Sequence, residues 1–218
     1  MGFTSISLRV AAYLAASLFV GMTAREFARA WMATRLGDPT PRLWGRLTLM
    51  PKAWFDPFGS GLLPGLILLL WAASASFLPP PVGYGKPPPI ETNYLRRQPR
   101  DSVLVGLAGP VTNMALAAIA GLLVRLNLPL ELFTVLVAFE LANLSLAFFH
   151  LLPIPGLDGA RLVALVLPLP VRQTYRNLDQ YLPLFVLLAL FFLGAAIQSI
   201  VYSLVNAFCR LFSGFPCH

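Results

Sequence analysis

Residues Gly21 to Asp38 read G-M-T-A-R-E-F-A-R-A-W-M-A-T-R-L-G-D. An uncharged run, Val10 to Met22, leads into this stretch and continues without a breaker through Arg25, Glu26 and Arg29. The uncharged run alone is too short to cross a bilayer, which takes about 20 residues. A spanning helix must therefore carry the three charges and extend to about Arg35, where Gly37 and Asp38-Pro39 stop it. On that helix Arg25 and Arg29 lie four residues apart on one face, with Glu26 three from Arg29. Each such charge at the centre of a membrane helix costs about 2.5–3.5 kcal/mol. Either the long arginine side chains reach the headgroups, or buried partners neutralise them. The acidic residues at hand are Glu26 itself, Glu140 and Asp158. The run also has the outline of a signal peptide with Ala28-Arg29-Ala30 as a small-residue site, but the helical pattern passes straight through it.

Composition places the whole chain in the same environment. Of 218 residues, 57% are hydrophobic and 11% charged, against about 25% charged in soluble domains. The mean hydropathy is +0.73. This is the composition of an integral, multi-pass membrane protein. The net charge of +7 comes from basic residues scattered among short loops, which suits lipid headgroups and offers no aromatic-interleaved patch for nucleic acid. Those residues fall on alternate sides of the apparent spans, so the positive-inside rule assigns no orientation. Cys209 and Cys217 fit no common zinc-ribbon spacing.

Beyond Asp38, Pro39 to Phe58 is proline-rich and charged, and Leu43–Leu49 reads as a short strand or small membrane-associated β-hairpin. Gly61–Leu78, Ser102–Val124 and Leu132–Leu152 read as spans, and Tyr181–Cys209 as a final one. Pro79 to Arg100 is a Pro/Gly loop inclined to polyproline conformation. The third of these spans carries Glu140, Asn143 and His150 on one face, which should turn inward. The expected fold is an all-α polytopic membrane protein with about five transmembrane helices. One domain covers 1–218, with a motif-bearing core at about 21–162 and a C-terminal helix at about 181–209.

The order of motifs resembles the site-2 protease family of intramembrane zinc metalloproteases. Arg25-Glu26-Phe27-Ala28-Arg29 stands where that family has H-E-x-x-H. Leu36-Gly37-Asp38-Pro39, Gly45-Arg46-Leu47, Asp56-Pro57-Phe58-Gly59 and Gly85-Lys86-Pro87 follow in order. Ala108-Gly109-Pro110 through Asn113 matches A-G-P-x-x-N, and Leu152-Pro153-Ile154-Pro155-Gly156-Leu157-Asp158-Gly159 matches L-P-x-P-x-L-D-G. The resemblance implies that Glu26 holds the general-base position and that Arg25, Arg29 and Asp158 hold the three zinc-ligand positions. It further implies a cleft that accepts a transmembrane segment. His150 stands at a family Asn, Trp54 where a His is often found, and Met50 at the Asn of L-N-P.

Both histidine ligands are thus arginine, which keeps its proton and has no lone pair for a metal. Two guanidinium groups facing two carboxylates carry the same formal charge balance as one Zn²⁺. The resulting expectation is a pseudoprotease without zinc or other cofactor, its arginines serving as counter-charges to Glu26 and Asp158, which binds or scaffolds a membrane partner's transmembrane segment. Two alternatives stay open. One is an active protease whose zinc is held by His150, Asp158 and Glu26; the other is an ion or solute transporter using the Glu140, Asn143 and His150 face.

Overall fold

A computed structural model describes residues 8–73, 79–168, 171, 174–175 and 177–217. The described residues are helical, without a strand. Helix α1 runs Leu8–Arg35, α2 Thr40–Leu43, α3 Pro51–Trp54, a π-helical turn Pro57–Leu62, and α4 Leu63–Ala72. After the proline-rich loop come α5 (Arg100–Val124), α6 (Leu130–His150), α7 (Asp158–Val166) and α8 (Leu182–Phe212). Helices α1, α5 and α6 form the central three-way packing, and α8 leans on α6 and α5.

Helix α1 stops as its sequence demands. Gly37 adopts φ +115°, the left-handed conformation that costs glycine least. Asp38 N donates to the Ala33 carbonyl at 3.0 Å and Gly37 N to that of Thr34 at 3.3 Å, the paired bonds of a Schellman ending. Asp38, fully buried, then accepts from Thr40 N at 2.9 Å and Glu91 N at 2.8 Å. The end of α1 is thereby tied to the proline-rich loop.

Two expectations are corrected. Leu43–Leu49 is neither strand nor hairpin: α2 ends at Leu43, Trp44 and Gly45 turn, and the chain is irregular to Met50. Gly45 N and Arg46 N are spent on the carbonyls of Arg42 and Pro41 at 3.0 and 2.8 Å, which close a turn instead of a ladder. The count of five membrane helices is not supported either. Among the described residues three helices are long and apolar enough to cross a membrane, Arg100–Val124, Leu130–His150 and Leu178–Phe212. Helix α1 has the length but carries Arg25, Glu26 and Arg29. The apolar helix at Pro57–Ala72 is too short, and residues 74–78 of its expected continuation lie outside the described residues. The protein is all-helical and integral to the membrane.

The proline-rich loop folds inward. Tyr84 N donates to the Gly59 carbonyl at 3.0 Å and Lys86 N to that of Trp54 at 2.8 Å. The Ser60 hydroxyl donates to the Tyr84 carbonyl at 2.9 Å. Asp56 caps the π-helical turn by accepting from Phe58 N and Gly59 N at 3.1 and 2.7 Å. Gly59 leaves the space in which the Tyr84 ring lies; a Cβ there would overlap it.

Candidate functional site

The lower half of α1 and the first turn of α7 meet in a cluster of four charges. The Arg25 guanidinium donates to Glu26 through one terminal nitrogen and to Asp158 through the other. Arg29 Nη1 donates to Glu26 Oε2 at 2.8 Å, and its Nε lies 3.2 Å from Asp158 Oδ1. All four residues are at most 5% exposed. Each carboxylate is met by both arginines, so the cluster closes on itself with zero formal charge. Burial by itself would push the Asp158 carboxyl up; the guanidinium charges of Arg29 and Arg25 reverse this and hold it below the ordinary carboxylate range.

Small residues make room for the cluster. A Cβ on Gly109 of α5 would lie 3.3 Å from both Arg29 Cδ and Asp158 Oδ2. Gly159 sets its Cα against the carbonyls of Leu151 and Leu152, where a Cβ would overlap backbone. That contact fixes the start of α7, and with it Asp158, against the end of α6. Above Glu26 lies Gly85 of the proline-rich loop, whose Cβ would come within 3.0 Å of Glu26 Cγ.

His150, Tyr84, Gly85 and Leu182 border the cluster with Arg25 and Glu26, leaving a cavity of about 20 Å³. That volume holds about one water. His150 Nδ1 lies 2.8 Å from the Leu146 carbonyl, so Nδ1 carries the hydrogen and Nε2 keeps its lone pair. Asn143 donates to the Phe139 carbonyl at 2.9 Å. Asn113 is buried on α5 with neither amide atom hydrogen-bonded among the described residues. Pro153 accepts from the Tyr175 hydroxyl at 3.1 Å, and Pro155 lies in the turn before α7. His218 lies outside the described residues.

Glu140 does not join this site. It is ten residues from His150 on α6, about 15 Å along the axis, and its neighbours are Cys209 and Cys217. The cysteines, expected to be unremarkable, form a disulfide. Sequence reading also missed Tyr84 and Gly85 as the cover of the cluster, because a Pro/Gly run gives no side-chain pattern from which a docking position follows.

The residues at the three positions that the resemblance assigns to ligands do not fit a zinc ion. Two of the three are arginines without a lone pair, the third is already paired to both, and the remaining space holds a single water. A dication there would also face two guanidinium charges.

Relatives of the chain carry the name "Putative zinc metalloprotease". YwhC of Bacillus subtilis is 33% identical over 190 residues, covering 82% of this chain and 80% of its own length. Rip2 of Mycobacterium tuberculosis is 33% identical over 147 residues, and MJ0611 of Methanocaldococcus jannaschii 35% identical over 113. The chain spans about half the length of these last two, 53% in each case. No family model and no solved structure matches the chain. By its similarity to YwhC along most of both sequences, and consistent with the site-2 protease resemblance of its motifs, the chain belongs to this zinc metalloprotease family.

Proposed function

We propose that the chain is a non-catalytic member of its family, a pseudoprotease in which Arg25 and Arg29 stand in for the metal as counter-charges to Glu26 and Asp158. The observation that carries this reading is the Arg25 guanidinium, bonded to both the general-base and the third-ligand carboxylate. With both acids so engaged, each Glu26 oxygen already accepts from an arginine, which lowers its basicity toward water, and the cavity of about 20 Å³ has no room for a peptide.

What such a protein retains is the architecture for contacting membrane segments. An apolar groove of about 190 Å³ runs between α1 and the π-helical turn with α4, lined by Phe19, Met22, Gly61, Pro64, Gly65 and Leu68. Glycines on such a face let a second helix approach closely. The proposed partner is the transmembrane segment of another membrane protein, docked on this groove rather than in the filled cavity. The bacterial and archaeal relatives support a prokaryotic cell membrane as the location, with one domain over the whole chain.

The test is metal content and its recovery. Detergent-purified protein, kept unreduced, is expected to hold no stoichiometric zinc, and Arg25→His with Arg29→His is expected to take up one zinc per chain. Stoichiometric zinc in the unaltered protein that is lost on His150→Ala would overturn the proposal. It would favour instead an active enzyme using His150, Asp158 and Glu26. That second reading has one observation behind it, the buried His150 Nε2 without a hydrogen-bond partner among the described residues.

A further inference from the structure

At the other end of α6 the structure holds a second cluster of ligating atoms. Glu140 of α6, Cys209 in the last turn of α8 and Cys217 in the tail beyond it each offer a donor atom, all within 4.8 Å of one another and all buried. Cys209 and Cys217 are joined as a disulfide. Glu140 is fully buried; neither carboxylate oxygen receives a well-formed hydrogen bond among the described residues, and the groups acting on it from nearby are the Ser213 hydroxyl and the Arg125 charge.

The surroundings are shaped to hold this carboxylate with weak partners only. A Cβ on Gly121 of α5 would come 2.5 Å from Glu140 Oε1 and 2.6 Å from Phe212 Cβ, so the glycine opens the space the carboxylate fills. The Ser213 hydroxyl donates to the Cys209 carbonyl at 2.8 Å. Arg125 donates to the carbonyls of Phe212 and Leu211 at 2.5 and 2.6 Å, which pins the end of α8 to α5. A buried carboxylate without well-formed hydrogen bonds is unfavourable. Two sulfurs and one carboxylate oxygen are the donor set of a borderline or soft divalent cation, and a poor one for magnesium or calcium. Around zinc, with Zn–S of about 2.3 Å, ligand atoms stand roughly 3.8 Å apart, so the two bonded sulfurs must separate on reduction while the carboxylate oxygen is already within reach.

We propose that Cys209, Cys217 and Glu140 form a redox-gated site for a thiophilic divalent cation of the zinc or cadmium class. In the disulfide state the site is closed. A thiol or phosphine reductant supplies two electrons, breaks the S–S bond and yields two thiols, itself being oxidised to a disulfide or, with oxygen from water, a phosphine oxide. Cation binding then displaces both thiol protons, giving two metal–thiolate bonds and one carboxylate bond. The cation gives Glu140 a directly ligated positive partner, closer than Arg125, and ties α8 to α6.

The experiment uses the full chain in detergent, with and without a phosphine reductant that is removed before titration with Cd²⁺ alone. Ultraviolet thiolate-to-cadmium charge transfer reports ligation, and equilibrium dialysis reports stoichiometry. About one Cd²⁺ per chain is expected after reduction and none before it. Glu140→Gln, a near-isosteric change, is expected to keep both thiols and the fold while weakening Cd²⁺ binding at least tenfold, since even indirect partners of a metal ligand matter by that much. Reduced protein that binds no Cd²⁺, binding that does not require reduction, or equal affinity in Glu140→Gln would each overturn the proposal.

Discussion

The two buried acidic clusters treat their carboxylates in opposite ways. Glu26 and Asp158 are matched in charge: two arginines reach both of them, and the cluster is neutral. Glu140, equally buried, faces a disulfide and receives no well-formed hydrogen bond among the described residues, with the Ser213 hydroxyl and the Arg125 charge nearby. The first arrangement makes each charge necessary to the others. The second holds one carboxylate with only weak partners. The same substitution, carboxylate to amide, should therefore have opposite consequences at the two ends of the molecule.

The largest effect is expected at Arg25, which alone contacts both acids through its terminal nitrogens. Arg25→Ala leaves two carboxylates to one arginine and should destabilise by about 3–5 kcal/mol, the cost of breaking a buried ion pair, read by thermal unfolding in detergent. Within the cluster, Arg29→Ala and Asp158→Ala should be non-additive, the double variant losing less than the two single losses combined. A thermal-shift cycle with no coupling would mean the four charges do not act as a unit.

Next comes the glycine that seats Asp158. Gly159→Ala forces a methyl onto the Leu151 and Leu152 carbonyls and should cost about 1–3 kcal/mol, typical of overpacking. An unchanged unfolding midpoint would show that α7 can shift, and that Asp158 is less firmly positioned than its ion pairs imply.

The contrast itself is tested by Asp158→Asn against Glu140→Gln. The first should lower the midpoint. The second removes a weakly partnered buried carboxylate and should leave the midpoint unchanged or raise it by roughly 1 kcal/mol equivalent. A Glu140→Gln loss as large as that of Asp158→Asn would erase the distinction between the sites.

The smallest effect is in pH. Asp158 has its folded value depressed below the ordinary 3.8. A depressed carboxylate contributes stability that is fully present above its unfolded value and lost as pH falls through the folded one. This contribution should therefore be level from neutral pH down to about 4 and decline only below it. In Arg29→Ala, with one counter-charge gone, the decline should begin at higher pH.

Much of the first cluster was legible in sequence because its members are few and their chemistry is restrictive. Three charges inside an apolar helix need partners, and the membrane-depth acids could be counted. The motif order identified Asp158 as the residue opposite them. The pairing pattern was not legible: Arg25 and Glu26 are adjacent in sequence, and only the length of the guanidinium arm lets Arg25 reach Glu26 and Asp158 together. The second cluster was read in fragments. Glu140 was assigned to an inward polar face with Asn143 and His150, yet the helical rise carries it about 15 Å from His150 into the company of Cys209 and Cys217, far later in the chain.

The same division holds for the fold. Leu43–Leu49 has strand-like residues, but a strand needs a partner edge, and the proline-rich loop spends Tyr84 N on Gly59 and Lys86 N on Trp54 instead. Sequence alone determined that this is a membrane protein of helices, that α1 ends at Gly37, and that arginines stand where the motif pattern has metal ligands. These depend on composition, local backbone preference and side-chain chemistry, which are properties of residues and their near neighbours. Tertiary structure alone decided that the arginines close a neutral ring around two carboxylates, that a loop covers it, and that Glu140 lies against a disulfide. Those depend on which distant segments are brought within a few ångströms, and no local rule contains that distance.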